Sequence, residues 1–123
     1  MIGYVTVGTN DLERAGAFWD ALLAELGAAR TMEGDNFVMW STGPDAPFFI
    51  AIKPHDGKPA TVGNGCMTGL KAASRAQVDA LHKKALELGG KDEGAPGERM
   101  NSFYGGYFRD LDGHKFVFFV MGE

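Results

Sequence analysis

The chain has 123 residues, 45% of them hydrophobic and 23% charged, with a net charge of −4. That is the size and balance of one soluble globular domain with a core of its own, which excludes a disordered chain and a small scaffold held by staples. The absence of any basic run argues against a nucleic-acid or acidic-membrane partner, and a lone cysteine, Cys66, excludes an internal disulfide.

The first residues, Met1-Ile2-Gly3-Tyr4, carry no charged segment followed by an apolar stretch, so no signal peptide is expected. No apolar run reaches the roughly 18 residues that span a membrane. With a single cysteine this fits a reducing compartment, and a cytoplasmic protein is expected. Residues 2–8, IGYVTVG, read as a strand. A helix follows, with Thr9 or Asn10 as its cap and Asp11 and Glu13 in its first turn. Leu12, Ala15, Trp19, Leu22 and Leu26 recur at helical spacing, and Gly27 stops it. Three extended segments come next, about 29–32, 36–41 and 47–53, set apart by Gly34-Asp35 and Gly43-Pro44-Asp45. Residues 54–64 form a connecting loop with two prolines and two glycines.

The pattern then restarts. Residues 65–71 read as a strand, and Ser74 caps a helix with Val78, Leu81, Ala85 and Leu88 on one face and Gly89-Gly90 at its end. Residues 91–99 are a polar stretch. Residues 103–110 and 114–121 are strands joined by Asp110-Leu111-Asp112-Gly113, whose Asp-Gly pair signals a hairpin. A shift of 62 positions aligns Gly3 with Gly65, Thr6 with Thr68 and Glu25-Leu26-Gly27 with Glu87-Leu88-Gly89. Two βαβββ modules, about 1–53 and 65–123 within one domain, account for the repeat. The periodicity fits equally an α+β sheet with two helices and no internal symmetry. The closing strands FFIAI (48–52) and FVFFVM (116–121) are apolar on both parities, which calls for cover on both faces. A partner subunit, a partner module or an apolar pocket could supply it.

The segments VTVGTNDLERAGAFWDALLAELG, GNGCMTGLKAASRAQVDALHKKALELGG, EGAPGERMNSFYGGYFRD and DLDGHKF resemble the vicinal-oxygen-chelate superfamily of glyoxalases, bleomycin-resistance proteins and extradiol dioxygenases. The resemblance covers nearly the whole chain and is closest to a small bacterial glyoxalase-like group. DLDGHK departs from the family's Asp-Pro-Asp-Gly-Asn hairpin at Leu111 and His114. The resemblance implies an α+β fold of two βαβββ modules in a curled, cup-shaped mixed sheet with the helices outside. It also implies a homodimer, with modules of two chains completing each cup, and in related proteins a divalent metal inside it.

Metal-using members place a histidine on the first strand, another on the first strand of the second module and a glutamate on the last strand. The matching positions here hold Tyr4, Met67 (or Cys66 by the internal shift) and Val117, and no carboxylate stands near residues 50–52. Valine cannot ligate, and thioether and phenol suit a hard divalent ion poorly, so no metal and no cofactor are expected. His55 in the loop, His82 in the second helix and His114 after the turn read as surface or turn residues. Cys66 reads as a small buried strand residue, and Asp110 and Asp112 as turn formers. Tyr4, Trp40, Met67, Tyr104, Tyr107, Val117, Phe119 and Arg99 are the candidate pocket residues. Tyrosine and tryptophan offer flat walls with a polar tip.

Three functions follow. The chain binds a small, partly aromatic or hydrophobic molecule in an apolar cup without metal. Alternatively, it is a lactoylglutathione-lyase-like or dioxygenase-like enzyme whose metal sits at an unforeseen site. Or it is a metal-free enzyme with Tyr4 or Tyr107 as acid–base.

Overall fold

The computed structural model describes residues 1–122. The chain divides into two compact units, Met1–Val62 and Gly63–Glu123, the final residue lying outside the described ones. Each unit is a βαβββ module carrying one open four-stranded mixed sheet.

In the first unit, β1 (Tyr4–Gly8) leads to α1 (Leu12–Ala24), then β2 (Ala29–Glu33), β3 (Phe37–Ser41) and β4 (Phe48–Ile52). The strand order is β1-β4-β3-β2, with β1 parallel to β4 and the other pairs antiparallel. The cap of α1 is neither Thr9 nor Asn10. Asp11 is extended, and its carboxylate accepts the Arg14 N–H. Thr9 is buried, its hydroxyl bonded to the Asp11 backbone, and the Asn10 side chain grips both backbone groups of Ala60. Those two side chains hold the entry to the helix and the chain that leaves the sheet. Side chains alternate across a strand, so register partners share a face. Val38, Trp40, Phe49 and Ala51 are buried on the face under α1, where Trp19 meets Phe49 edge-on with ring centroids 4.6 Å apart.

In the second unit, β5 (Thr68–Lys71) leads to α2 (Arg75–Glu87), then β6 (Lys91–Glu98), β7 (Phe103–Arg109) and β8 (Lys115–Met121), in the order β5-β8-β7-β6. Ser74 caps α2 as its sequence suggests, accepting the Gln77 N–H. Residues 91–98, a polar stretch by composition, are a strand. β6 has no β-branched or aromatic residue to announce it, and its register breaks on either side of Gly94. It lies at the sheet edge, where the missing N–H of Pro96 breaks no central ladder. Phe108, Phe116 and Phe118 are buried on the face beneath α2, with Phe108 stacked 5.5 and 5.1 Å from the other two.

His82 is not a surface residue. It is 5% exposed, on the buried side of α2 with Val78, Leu81 and Ala85. Its Nε2 faces two acceptors, the Tyr107 carbonyl at 3.0 Å and the Asp92 carboxylate at 3.2 Å, so this nitrogen carries the proton. The ring lies over Gly106, where a Cβ would stand 3.1 Å from His82 Cδ2 and 3.0 Å from Pro96 Cγ. The periodicity of α2 left room for a polar residue on its inner stripe, but nothing local marks one that two acceptors across the sheet will hold.

The 110–113 turn forms the β7–β8 hairpin, and Asp110 is its centre. Its Oδ1 accepts the backbone N–H groups of Asp112 and His114, while Gly113 takes a positive φ of 90°. Burial pushes the Asp110 carboxyl above its ordinary 3.8, and the His114 and Asp112 N–H groups pull it back in part. A raised pKa means that the folded state holds this proton more tightly than the unfolded chain. The carboxyl therefore costs stability as pH climbs from 3.8 through its folded pKa. Asp110→Asn keeps the acceptor oxygen and loses the titration. Its stability relative to wild type is expected to rise with pH across that window in denaturant unfolding, and a pH-independent difference would contradict the assignment. Gly106→Ala is expected to destabilise by about 1–3 kcal/mol, because the doubly bonded His82 ring cannot give way. An unchanged Tm would show that it can.

Candidate functional site

Each sheet has one face under a helix and one without. On the open face of the first sheet, register and alternation put Tyr4, Thr6, Phe37, Met39, Phe48, Ile50 and Ile52 together. Ile50 is buried, Phe48 and Met39 are half-buried, and Tyr4 is 61% exposed. On the open face of the second sheet, Phe103, Gly105 and Tyr107 of β7 pair with Met121, Phe119 and Val117 of β8, and Gly69 of β5 pairs with Val117. Phe103 and Phe119 stack with centroids 5.3 Å apart, and Val117 is buried.

This second face is not purely apolar. The Arg99 guanidinium carbon is 5.3 Å from the Tyr107 ring centre and Lys115 Nζ is 5.5 Å from it. Cations over a tyrosine ring are attracted by its negative face. Arg109, also on this side of the sheet, takes Glu93 at 2.5 Å. That bond, reinforced by the charges of Arg109, Lys115 and Lys91, holds the Glu93 carboxyl below its usual range.

Tyr4, Tyr107, Val117 and Phe119 thus occupy open faces, Tyr4 in the first unit and the others in the second. Met67 lies just ahead of β5 and is half exposed. Arg99 lies just after β6 and folds back over Tyr107. Two candidates belong to the opposite side. Trp40 alternates with Met39 and faces α1, where its Nε1 donates to Asp20 Oδ1 at 2.8 Å. Asp20 also takes Arg30, and that bond holds its carboxyl below the usual range. Tyr104 alternates with Phe103 and faces α2. Its hydroxyl donates to Asp79 at 2.6 Å, which raises the phenol above its ordinary value, and Arg75 lies over its ring. Both are aromatic strand residues, and only their parity separates them from the open faces. Parity also finds what the sequence reading missed: Lys115 precedes Val117 by two positions and so lies on the same face of β8.

Cys66 is exposed rather than buried, because β5 begins only at Thr68. Its Sγ lies where a Cβ on Gly63 would come within 2.6 Å. A cleft of about 520 Å³ lies in the first unit at the ends of β1 and β4, lined by Asn10, Asn36, Lys53, His55 and Lys58 among others. It holds none of the candidate pocket residues. His114 lies in the hairpin, its N–H held by Asp110. Among the described residues no three histidine, cysteine, aspartate or glutamate side chains converge on a point that could hold a metal ion. The positions to which the resemblance assigns metal ligands hold Tyr4, Met67 (or Cys66) and Val117; phenol and thioether suit a hard divalent ion poorly, and valine has no donor atom.

The family model described as the Glyoxalase/Bleomycin resistance protein/Dioxygenase superfamily matches residues 1–118, and the chain belongs to that superfamily. The crystal structure of a glyoxalase/bleomycin resistance protein from Albidiferax ferrireducens T118 is 38% identical and superposes with a TM-score of 0.89, covering 97% of each chain. A hypothetical protein from S. aureus is 27% identical with a TM-score of 0.77, over 98% of this chain and 92% of its own. A glyoxalase-related enzyme from Fulvimarina pelagi shares the fold at 17% identity, with a TM-score of 0.77 over 97% of this chain and 86% of its own. No curated protein matches.

Trp40→Phe is expected to lower stability by about 1–3 kcal/mol, through the lost indole bond to Asp20 and the gap left beneath α1. Thermal unfolding checks it, and an unchanged Tm would show that the bond is dispensable.

Proposed function

We propose that this protein binds a small, partly aromatic or hydrophobic molecule on its open sheet faces, without a metal ion. The observation that carries the reading is Val117. It stands at the position where metal-using relatives place a carboxylate ligand, and its side chain has no donor atom. Tyr4 and Met67 at the other two positions are phenol and thioether. On the open face of the first unit Tyr4 and Phe48 offer aromatic surface, and on that of the second unit Phe103 and Phe119 do so. Such surface rimmed by a few polar tips suits a small organic ligand.

Tyr4, Met67 and Met121 leave apolar side chains more than half or about half exposed. A second copy of the chain is the partner that would cover them, as homodimers do in this superfamily. We place the protein in the cytoplasm. Among the described residues no helix is long and apolar enough to cross a membrane. The single cysteine carries an exposed thiol, which fits a reducing compartment.

The test is metal content followed by ligand screening. The untagged protein is incubated with Fe(II), Ni(II), Zn(II), Co(II) and Mn(II), desalted and measured by elemental mass spectrometry. Metal well below one ion per chain is expected. Small aromatic compounds should then raise Tm, by an amount that corresponds to about 2.7 kcal/mol at a concentration of 100 times Kd. A stoichiometric metal would overturn the reading and make lyase and dioxygenase assays the next step.

A further inference from the structure

We infer that the ligand of the second unit's open face is an organic anion, a carboxylate on a small apolar or aromatic body, with Arg99 and Lys115 beside Tyr107 meeting its charge. This rests on the reading of that face as the ligand site.

The placement of Arg99 is the first observation. Its Nη2 donates to the Ala95 carbonyl at 2.9 Å, so the guanidinium lies back along its own edge of the sheet. Glycines make the room. A Cβ on Gly97 would stand 2.8 Å from Nη1, and one on Gly94 would stand 3.4 Å from Nη2. The bare backbone of β6 is thus a bed for this side chain, and the Tyr107 ring is the wall against which it rests. A guanidinium held in this way loses little freedom on binding, and its fork of donors matches a carboxylate.

The second observation is the charge around it. Arg109 is committed to Glu93, the carboxylate on which Lys115 and Lys91 also act. Asp92 accepts from His82 and from the Gly94 N–H, and Glu98 is taken by Arg75. No ion pair joins Arg99 or Lys115 to a carboxylate among the described residues. The chain as a whole carries −4, so an anion is drawn here by local charge or not at all.

The third observation is the spacing. Lys115, Val117 and Phe119 are alternate residues on one face of β8, about 7 Å apart from one to the next. Val117 is buried between them, so a molecule the size of a phenyl-substituted acid could rest its body on the half-buried rings of Phe119 and Tyr107 while its carboxylate reaches Lys115 and Arg99.

The test compares matched pairs of probes: phenylacetate with phenylacetamide, and octanoate with octanamide. Binding is followed by ligand-observed NMR with the full chain. Variants are the double change Arg99→Gln with Lys115→Gln, and Lys53→Gln in the cleft of the first unit as a control. Tm of each variant confirms that it is folded. The carboxylates are expected to bind about tenfold more tightly than their amides, as a charge-assisted bond allows. The double variant should bring each pair together by weakening the acid alone, and Lys53→Gln should leave the preference intact. Equal binding of acid and amide by wild type would overturn the inference while leaving an apolar site standing. A preference that survives the double variant, or that vanishes with Lys53→Gln, would place the charge recognition elsewhere and overturn it too. Failure of every probe to bind would remove both the inference and the site on which it rests.

Discussion

Alternation of side chains along the strands is the constraint from which the rest of the structure follows. In each sheet one parity is sealed beneath a helix by large aromatic groups: Trp19, Trp40 and Phe49 in the first unit, Phe108, Phe116 and Phe118 in the second. Burial of such rings is the largest favourable contribution that a domain of this size can draw on. It fixes which parity faces in. The other parity is then committed to the open face, whatever its chemistry. A one-residue slip of β8 would exchange Phe118 with Phe119 and Val117 with Phe116, and the core and the candidate site would be lost together.

The polar groups buried with that core are held by specific partners. His82 donates across to the Tyr107 carbonyl and Asp92, and so ties α2 to β6 and β7. Tyr107 carries both roles at once. Its backbone carbonyl serves the helix side through His82, and its ring serves the open side through Arg99 and Lys115. Structure and candidate site are therefore coupled at one residue. Asp110 does comparable work at the hairpin, where one buried carboxylate oxygen holds two backbone N–H groups and aligns β7 with β8.

Membership of the glyoxalase, bleomycin-resistance and dioxygenase superfamily identifies a scaffold that supports several chemistries, and the side chains at a few positions separate them. The resemblance assigns the metal-ligand positions to Tyr4, Met67 (or Cys66) and Val117. The proposed binding role follows from what these groups can and cannot coordinate, and the proposed preference for anions follows from Arg99 and Lys115, which no shared fold dictates.

Much of this was legible from the amino-acid order. Helices, most strands, the Ser74 cap and the Asp110–Gly113 turn are written in local patterns, because periodicity, capping and turn chemistry depend on neighbours in the chain. The repeat of strand, capped helix and glycine pointed to two βαβββ modules. What the order could not decide is what depends on distant partners. β6 has no local strand signal and exists because β7 offers it a ladder. His82 is inside because a carbonyl and a carboxylate 25 and 10 positions later stand opposite its ring. Trp40 and Tyr104 left the candidate pocket because the helices lie on their side of the sheets. The cationic flank of Tyr107 arises only when a glycine-bare edge strand lets Arg99 fold back over a neighbouring strand. Composition sets which groups a chain possesses, but only tertiary packing decides which of them meet.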